Sequence, residues 1–167
     1  FRDNVPPSET AGFGLGRGET EAVCTNPAAL GGGKATNPKA YWSTADKAWA
    51  KGKKIVIFGL PGAFTPTCSA KHVPSYLQNI DKLKAKGVDE VWCISVNDPF
   101  VMGAWGKEQK SEGKVRMMAD GSATFTKALG MEFDLIARGM GVRSQRYSML
   151  VDNGVVKSIN LEGPGKF

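Results

Sequence analysis

The chain has 167 residues, 41% hydrophobic and 23% charged, with a formal net charge of +6. That length suffices for one domain with a buried core, and the longest apolar run, Ile55 to Leu60, falls far short of the ~20 residues a membrane helix needs. The lysines form short clusters, Lys51-Lys53-Lys54 and Lys82-Lys84-Lys86, which read as a solvated face able to steer acidic protein partners, not as the aromatic-interleaved stripe of a nucleic-acid binder.

Residues 1–40, with "GFGLGRGET" and "AALGGGKATNP", read as an irregular Gly/Pro-rich amino-terminal arm with room for a short hairpin. The first residue is Phe, not Met, as expected after removal of a targeting segment or after trimming. A single folded domain is expected over 41–167. "STADKAWAKGKK" predicts a short helix capped by Ser43 or Thr44 and ending near Gly52. Ile55 to Leu60 is a β-branched-rich buried strand. A helix follows from about Thr67 to Lys86, kinked by Pro74 and stopped by Gly87. "VDEVWCISV" is a second buried strand, and "NDPF" starts the next helix with Asp98 as its cap and Pro99 at its first position. "KVRMMAD" is a third strand, and "SATFTKALG" a helix ending at Gly130. "RYSMLVDNGVVKSINL" is a hairpin turning at Asp152-Asn153-Gly154. Alternating strands and helices leading into a hairpin predict an α/β fold, a central mixed β-sheet with helices on both faces.

The three cysteines, Cys24, Cys68 and Cys93, are odd in number and show no CxxC spacing, so they do not form a disulfide framework. Zinc wants about four closely spaced ligands, and the one histidine, His72, leaves no such set. No metal or other cofactor is expected.

"PGAFTPTCSAKHVP", residues 61–74, directly follows the apolar strand. It carries Cys68 through a Pro/Gly turn to the first turn of a helix, where the outward N–H groups and the dipole favour an anion. This matters because a cysteine attacks as thiolate, and at an unperturbed pKa only about 3% is thiolate at pH 7. Pro66 suits the helix start, and the hydroxyls of Thr65 and Thr67 can bond a sulfur anion or a bound oxygen. His72, four residues on, shares the helix face. A helix-face residue with a local bond is the better reading for it than a catalytic base.

Pro61-x-x-x-Thr65-x-x-Cys68 resembles the active-site motif of peroxiredoxins, thiol-dependent peroxidases on a thioredoxin-like fold, and "PGAFTPTCS" is similar to their type II (atypical, Prx5-like) branch. "CISVNDPFVMGAWGK", "GKVRMMADGSATFTKALGMEFDL" and "GVRSQRYSMLVDNGVVKSINLEG" extend the resemblance from about Lys51 to Gly163, most closely to plant and bacterial members. It implies a thioredoxin-like fold and reduction of hydrogen peroxide and alkyl hydroperoxides without metal or haem. By the resemblance Cys68 is the peroxidatic nucleophile, Thr65 bonds the thiolate or a peroxide oxygen, and Pro61 shields the pocket from water. Arg146 holds the thiolate and polarises the peroxide, a task suited to a group that stays charged and offers several fixed donors. Arg143 ranks second to it by strand alternation. Phe64 and Trp105 read as core or dimer packing ahead of pocket lining.

Oxidised Cys68 would be a sulfenic acid in need of a thiol. Cys93 matches the second cysteine of plant-type relatives, for which an internal disulfide is proposed. Its mid-strand place in "VWCISV" also reads as a packed core thiol, and a disulfide needs Cα atoms within about 7 Å. The other route is direct reduction by glutathione, glutaredoxin or thioredoxin. Cys24 has no counterpart in the resemblance. A homodimer is implied by the resemblance; the non-Met start, the basic charge and the long arm point to a chloroplast or mitochondrial location, with a bacterial or eukaryotic cytoplasm as the alternative. The arm is longer than the branch leads one to expect, and the chain ends at "LEGPGKF", where relatives continue into another helix. A rival reading is a subunit or redox sensor of this fold within a larger assembly.

Overall fold

The structure, a computed structural model, describes Ala50, residues 52–163 and the strand Val23–Cys24. Its frame is a six-stranded sheet. Strands β1 (Val23–Cys24), β2 (Lys54–Leu60), β3 (Glu90–Ser95), β4 (Arg116–Ala119), β7 (Tyr147–Asp152) and β8 (Val155–Leu161) lie in the order β1-β4-β3-β2-β7-β8. The first four are mutually parallel, and β7 runs antiparallel to both β2 and β8. A separate antiparallel pair, β5 (Glu132–Leu135) and β6 (Gly141–Ser144), precedes β7.

The parallel strands are near-continuous apolar runs because both sheet faces are covered. Ile55, Ile57, Trp92, Ile94, Met118, Tyr147, Met149 and Val151 point to one face, where Phe125 and Leu129 pack. Phe125 belongs to helix α4 (Thr124–Ala128). Phe58, Leu60, Val91, Cys93, Met117 and Ala119 point to the other, beneath Val73, Ile80, Met102 and Trp105. These come from helices α1 (Val73–Gln78), α2 (Ile80–Ala85) and α3 (Pro99–Gln109). The result is the mixed sheet with helices on both faces that the pattern predicts. Among the described residues no helix is long and apolar enough to cross a membrane.

The local chemistry of two expected elements is present. Asp98 Oδ1 accepts the Val101 N–H at 2.9 Å at the start of α3, with Pro99 in its first turn. Asn153 and Gly154 turn the β7–β8 hairpin at φ 49° and 77°, the left-handed pair that a two-residue turn demands.

Three features differ from expectation. Val23–Cys24, inside the predicted arm, pairs with Met118 and Ala119 of β4 and lengthens the sheet. The β5–β6 pair was not predicted. The single kinked helix over 67–86 is three pieces: a π-helical turn at Cys68–His72, then α1, then α2 after a break at Asn79. Pro74 lacks an N–H and its ring crowds the carbonyl four residues back, and a widened turn relieves that crowding. Asn79 marks the second break with φ −106° and ψ 10°, its Nδ2 donating to the Ser75 carbonyl at 2.8 Å. The helix predicted from "STADKAWAKGKK" lies outside the described residues except at its end, where Gly52 has φ +70°.

Candidate active site

Strand β2 ends at Leu60, and the next residues must leave the sheet and start a helix on its second face. Half-buried Pro61 follows the strand. The Ala63 N–H donates to Asn97 Oδ1 at 2.9 Å, and the Ser95 hydroxyl donates to the same oxygen at 2.6 Å. Asn97, just past β3, thereby ties the loop to the neighbouring strand. Thr65 closes the loop on itself: its hydroxyl donates to the Gly62 carbonyl at 2.7 Å, and its own carbonyl accepts the Ser69 N–H at 2.9 Å. Helical geometry begins at residue 66, so Pro66 stands at the first helical position, where a missing N–H costs nothing. Phe64 is held at φ 61°, a conformation costing an aromatic residue about 1–3 kcal/mol. Its ring, half exposed, lies 6.4 Å from that of Trp105. Trp105 itself is buried in α3 and donates from Nε1 to Ser69 Oγ at 3.0 Å, bracing the turn that carries Cys68.

Cys68 opens the π-helical turn and is only 1% exposed. Arg146 reaches it from 78 positions away: Nη2 lies 3.5 Å from Cys68 Sγ. The arginine stands immediately before β7, and its carbonyl accepts the Glu162 N–H at 2.9 Å. The next residue, Tyr147, pairs with Gly59 of β2. A Cβ on Gly59 would fall 2.1 Å from the Tyr147 ring, so that ring occupies the space a side chain on β2 would take. Glycine at 59 therefore lets β7 seat, and with it Arg146.

The other nitrogen of the guanidinium, Nη1, lies 2.6 Å from His72 Nδ1. Arginine carries only donors, so Nδ1 is the acceptor and the imidazole proton is on Nε2. Burial, and secondarily the Arg146 charge, lower the His72 pKa from 6.5 to about 3. The ring is neutral at physiological pH. Phe58 and Tyr76 pack beside it, with ring centroids at 5.0 and 5.7 Å, and are themselves stacked at 3.9 Å.

The structure thus brings Cys68, Arg146 and His72 together, with the Pro61–Thr65 loop leading directly into their turn. Arg143 is employed elsewhere: Nε donates to the Met140 carbonyl at 2.7 Å and Nη1 to the Val96 carbonyl at 3.0 Å, and Nη1 would stand 3.3 Å from a Cβ on Gly62. It props the loop. Cys93 is a free thiol on β3, fully buried, in the same apolar cluster as Cys68. Burial, and then the charge of Cys68, push its thiol well above the ordinary value. Sequence reasoning missed Asn97 and the true partner of His72. An asparagine after a strand has many uses, and only the spacing of His72 from Cys68 pointed toward the site. Among the described residues no three His, Cys, Asp or Glu side chains are grouped to hold a metal ion.

The chain and its fold have counterparts among known proteins. Residues 34–166 match the redoxin family. Peroxiredoxin-2B of Arabidopsis thaliana is 53% identical over 118 residues, covering 71% of this chain and 73% of the relative. The chloroplastic peroxiredoxin-2E of the same plant is 52% identical over 118 residues, covering 70% and 50%. The mitochondrial peroxiredoxin-2F of rice (Oryza sativa subsp. japonica) is 48% identical over 130 residues, covering 78% and 64%. Reduced Prx3 of Vibrio vulnificus, solved in complex with hydrogen peroxide, superposes with a TM-score of 0.70 at 54% identity, covering 73% of this chain and 74% of that one. The chain belongs to the redoxin family and, within it, to the type II, Prx5-like peroxiredoxins. It is a thiol-dependent peroxidase on a thioredoxin-like fold.

Proposed function

We propose that Cys68 is the nucleophile of this peroxidase, that Arg146 supplies the charge its reaction needs, and that Thr65 and Pro61 shape the peroxide pocket. The observation that carries the reading is the Arg146 Nη2 contact at 3.5 Å from Cys68 Sγ. The sulfur attacks the terminal oxygen of a hydroperoxide in line with the O–O bond. An S–O bond forms, the O–O bond breaks, and the departing alkoxide or hydroxide takes a proton to leave as alcohol or water. Cys68 is oxidised to sulfenic acid. Negative charge passes from sulfur to the leaving oxygen, and a guanidinium fixed beside both stabilises it throughout. Thr65 contributes as an acceptor. Its proton is committed to the Gly62 carbonyl, which leaves oxygen lone pairs for the O–H of the substrate.

Re-reduction takes two thiols. The first displaces water from the sulfenic acid to give a mixed disulfide, and the second releases Cys68 and carries away the disulfide. We assign both to external thiols: glutathione, glutaredoxin or thioredoxin. The burial and raised pKa of Cys93 favour this route over an internal disulfide. A homodimer and a chloroplast or mitochondrial location belong to the same reading, the latter supported by the relatives named for those organelles. So does one catalytic domain over 41–167 after an amino-terminal arm, supported by the span of the redoxin match.

The test is to react the reduced protein with one equivalent of hydrogen peroxide and map the products by mass spectrometry, with and without glutathione. The expected result is one sulfenic acid on Cys68, converted to a glutathione adduct at the same residue. A Cys68→Ser variant that still consumes peroxide at the native rate would overturn the reading. A Cys68–Cys93 link would move resolution inside the chain.

A further inference from the structure

An arginine side chain has four rotatable bonds and many ways to miss a sulfur atom. For its charge to count during the reaction, the guanidinium must be held before the substrate arrives. A single contact, Nη2 to Cys68 Sγ at 3.5 Å, does not by itself set the direction of the guanidinium plane. The planar group has a second, shorter contact through the other terminal nitrogen: Nη1 to His72 Nδ1 at 2.6 Å. Fixing one of two coplanar nitrogens fixes the direction of the other.

We propose that His72 is a positioning residue for the peroxidase reaction: its Nδ1 lone pair accepts from Arg146 Nη1 and thereby turns Nη2 onto Cys68 Sγ. The inference rests on the assignment of Cys68 and Arg146 above. Three observations support it. His72 closes the same π-helical turn that Cys68 opens, so the tether and the reacting sulfur stand one turn apart on a single short segment. The ring is flanked by Phe58 and Tyr76, with centroids at 5.0 and 5.7 Å, which limits its freedom to rotate. And the acceptor is neutral. A carboxylate in its place would bind the guanidinium more strongly but would cancel part of the charge that the sulfur and the leaving oxygen use. A neutral imidazole orients the arginine and leaves its charge intact. The same geometry excludes His72 as the base that activates Cys68, since its one lone pair faces a cation.

The experiment compares four variants by the second-order rate of peroxide reduction: His72→Leu, His72→Gln, Arg146→Ala, and His72→Leu combined with Arg146→Ala. Leucine fills the space without an acceptor; glutamine restores an acceptor oxygen. His72→Leu should slow the reaction roughly 10- to 100-fold, the scale of a misdirected catalytic group, and His72→Gln should recover most of the loss. In the Arg146→Ala background His72→Leu should have no further effect. Equal rates for Leu and Gln, or an undiminished Leu effect without the arginine, would show that His72 only packs and would overturn the proposal. A native rate in His72→Leu overturns it while leaving the Cys68 assignment standing, provided Cys68→Ser is inactive and Arg146→Ala slow. A measurement on the native protein stands beside these should His72→Leu not fold. The chain holds one histidine, so its nitrogen resonances are unambiguous, and at pH 7 they should report an Nε2-protonated neutral ring. A protonated Nδ1 would sink the idea.

Discussion

Cys68 and Cys93 are 1% and 0% exposed, belong to one apolar cluster, and lie on the same face of the sheet, yet their surroundings differ in the one respect that governs thiol chemistry. Cys93 sits in the middle of β3, paired with Phe58 of β2 and Met117 of β4, where burial penalises a negative charge. Its thiol is pushed well up. Cys68 sits at the opening of a helical turn with a guanidinium nitrogen at 3.5 Å. On the proposed reading, in which Cys68 is the nucleophile, burial alone does not decide which cysteine reacts. The guanidinium beside Cys68 makes the difference on that reading, because charge interactions strengthen where water is excluded.

The largest expected effect breaks the comparison outright. Cys68→Ser should reduce peroxidase turnover to the background rate, since the hydroxyl of serine is a poor nucleophile without a base and His72 is turned to the arginine. Next is Arg146→Ala, which makes the surroundings of Cys68 more like those of Cys93. It should lower the rate of peroxide reduction by about 10²–10³, the usual cost of one preorganised charge donor. It should also slow alkylation of Cys68 by iodoacetamide while leaving the circular dichroism spectrum unchanged. Arg146→Lys should fall between, because it keeps a charge but cannot bond His72 and Cys68 through two coplanar nitrogens. If Arg146→Ala alkylates and reduces peroxide at native rates, the distinction drawn between the two cysteines is wrong.

A third experiment probes the support beneath Arg146. His72 has a folded pKa of about 3 against an ordinary 6.5, so the unfolded chain binds its proton first as pH falls. Stability from this group is complete above about pH 6.5 and is lost as pH descends toward 3, with a slope of up to about 1.4 kcal/mol per unit. Urea unfolding between pH 4 and pH 6.5 should therefore show a shallower pH dependence in His72→Gln than in the native protein. Identical slopes would mean that the imidazole is not buried against a cation.

Much of this was legible beforehand, and the division is physical. Cys68, Thr65 and Pro66 lie in one short stretch, and the chemistry of a strand, a Pro/Gly turn and a helix start is local enough to read from spacing, while the pocket role of Pro61 came with the resemblance. The sheet was legible because its central strands are unbroken apolar runs. Arg146 was legible only by resemblance, for no periodicity joins residues 78 apart. The partner of His72 was not legible, although its face was: its contact spans 74 positions, and a histidine on a helix face usually has a local use. Val23–Cys24 is a two-residue strand, too short to show alternation. The β5–β6 pair escaped because much of it is exposed, with Glu132 and Asp134 facing solvent, so no buried stripe marked it. Pro74 signalled a break but not its kind. A kink and a widened turn are both ways to accommodate the missing N–H and the crowded carbonyl four residues back.

The smallest effect is the sharpest test of what Cys93 does. If it is a packed core thiol, Cys93→Ala removes one sulfur from the interior of β3 and should cost about 1 kcal/mol of stability through a small cavity, read by urea unfolding. The rate of the peroxide step should stay within about threefold of native, since the residue lies mid-strand in the apolar cluster. Turnover with glutathione or glutaredoxin should also persist. Native Cys93 should resist iodoacetamide at pH 7 while Cys68 reacts, because a thiol pushed upward by burial is almost wholly protonated there. The contrary result has a definite structural meaning. If Cys93→Ala stalls after one turnover, Cys93 must reach the oxidised sulfur. The turn at Cys68–His72 would then have to unwind to meet a thiol in the middle of a strand, and Trp105 would have to release Ser69 as it did so.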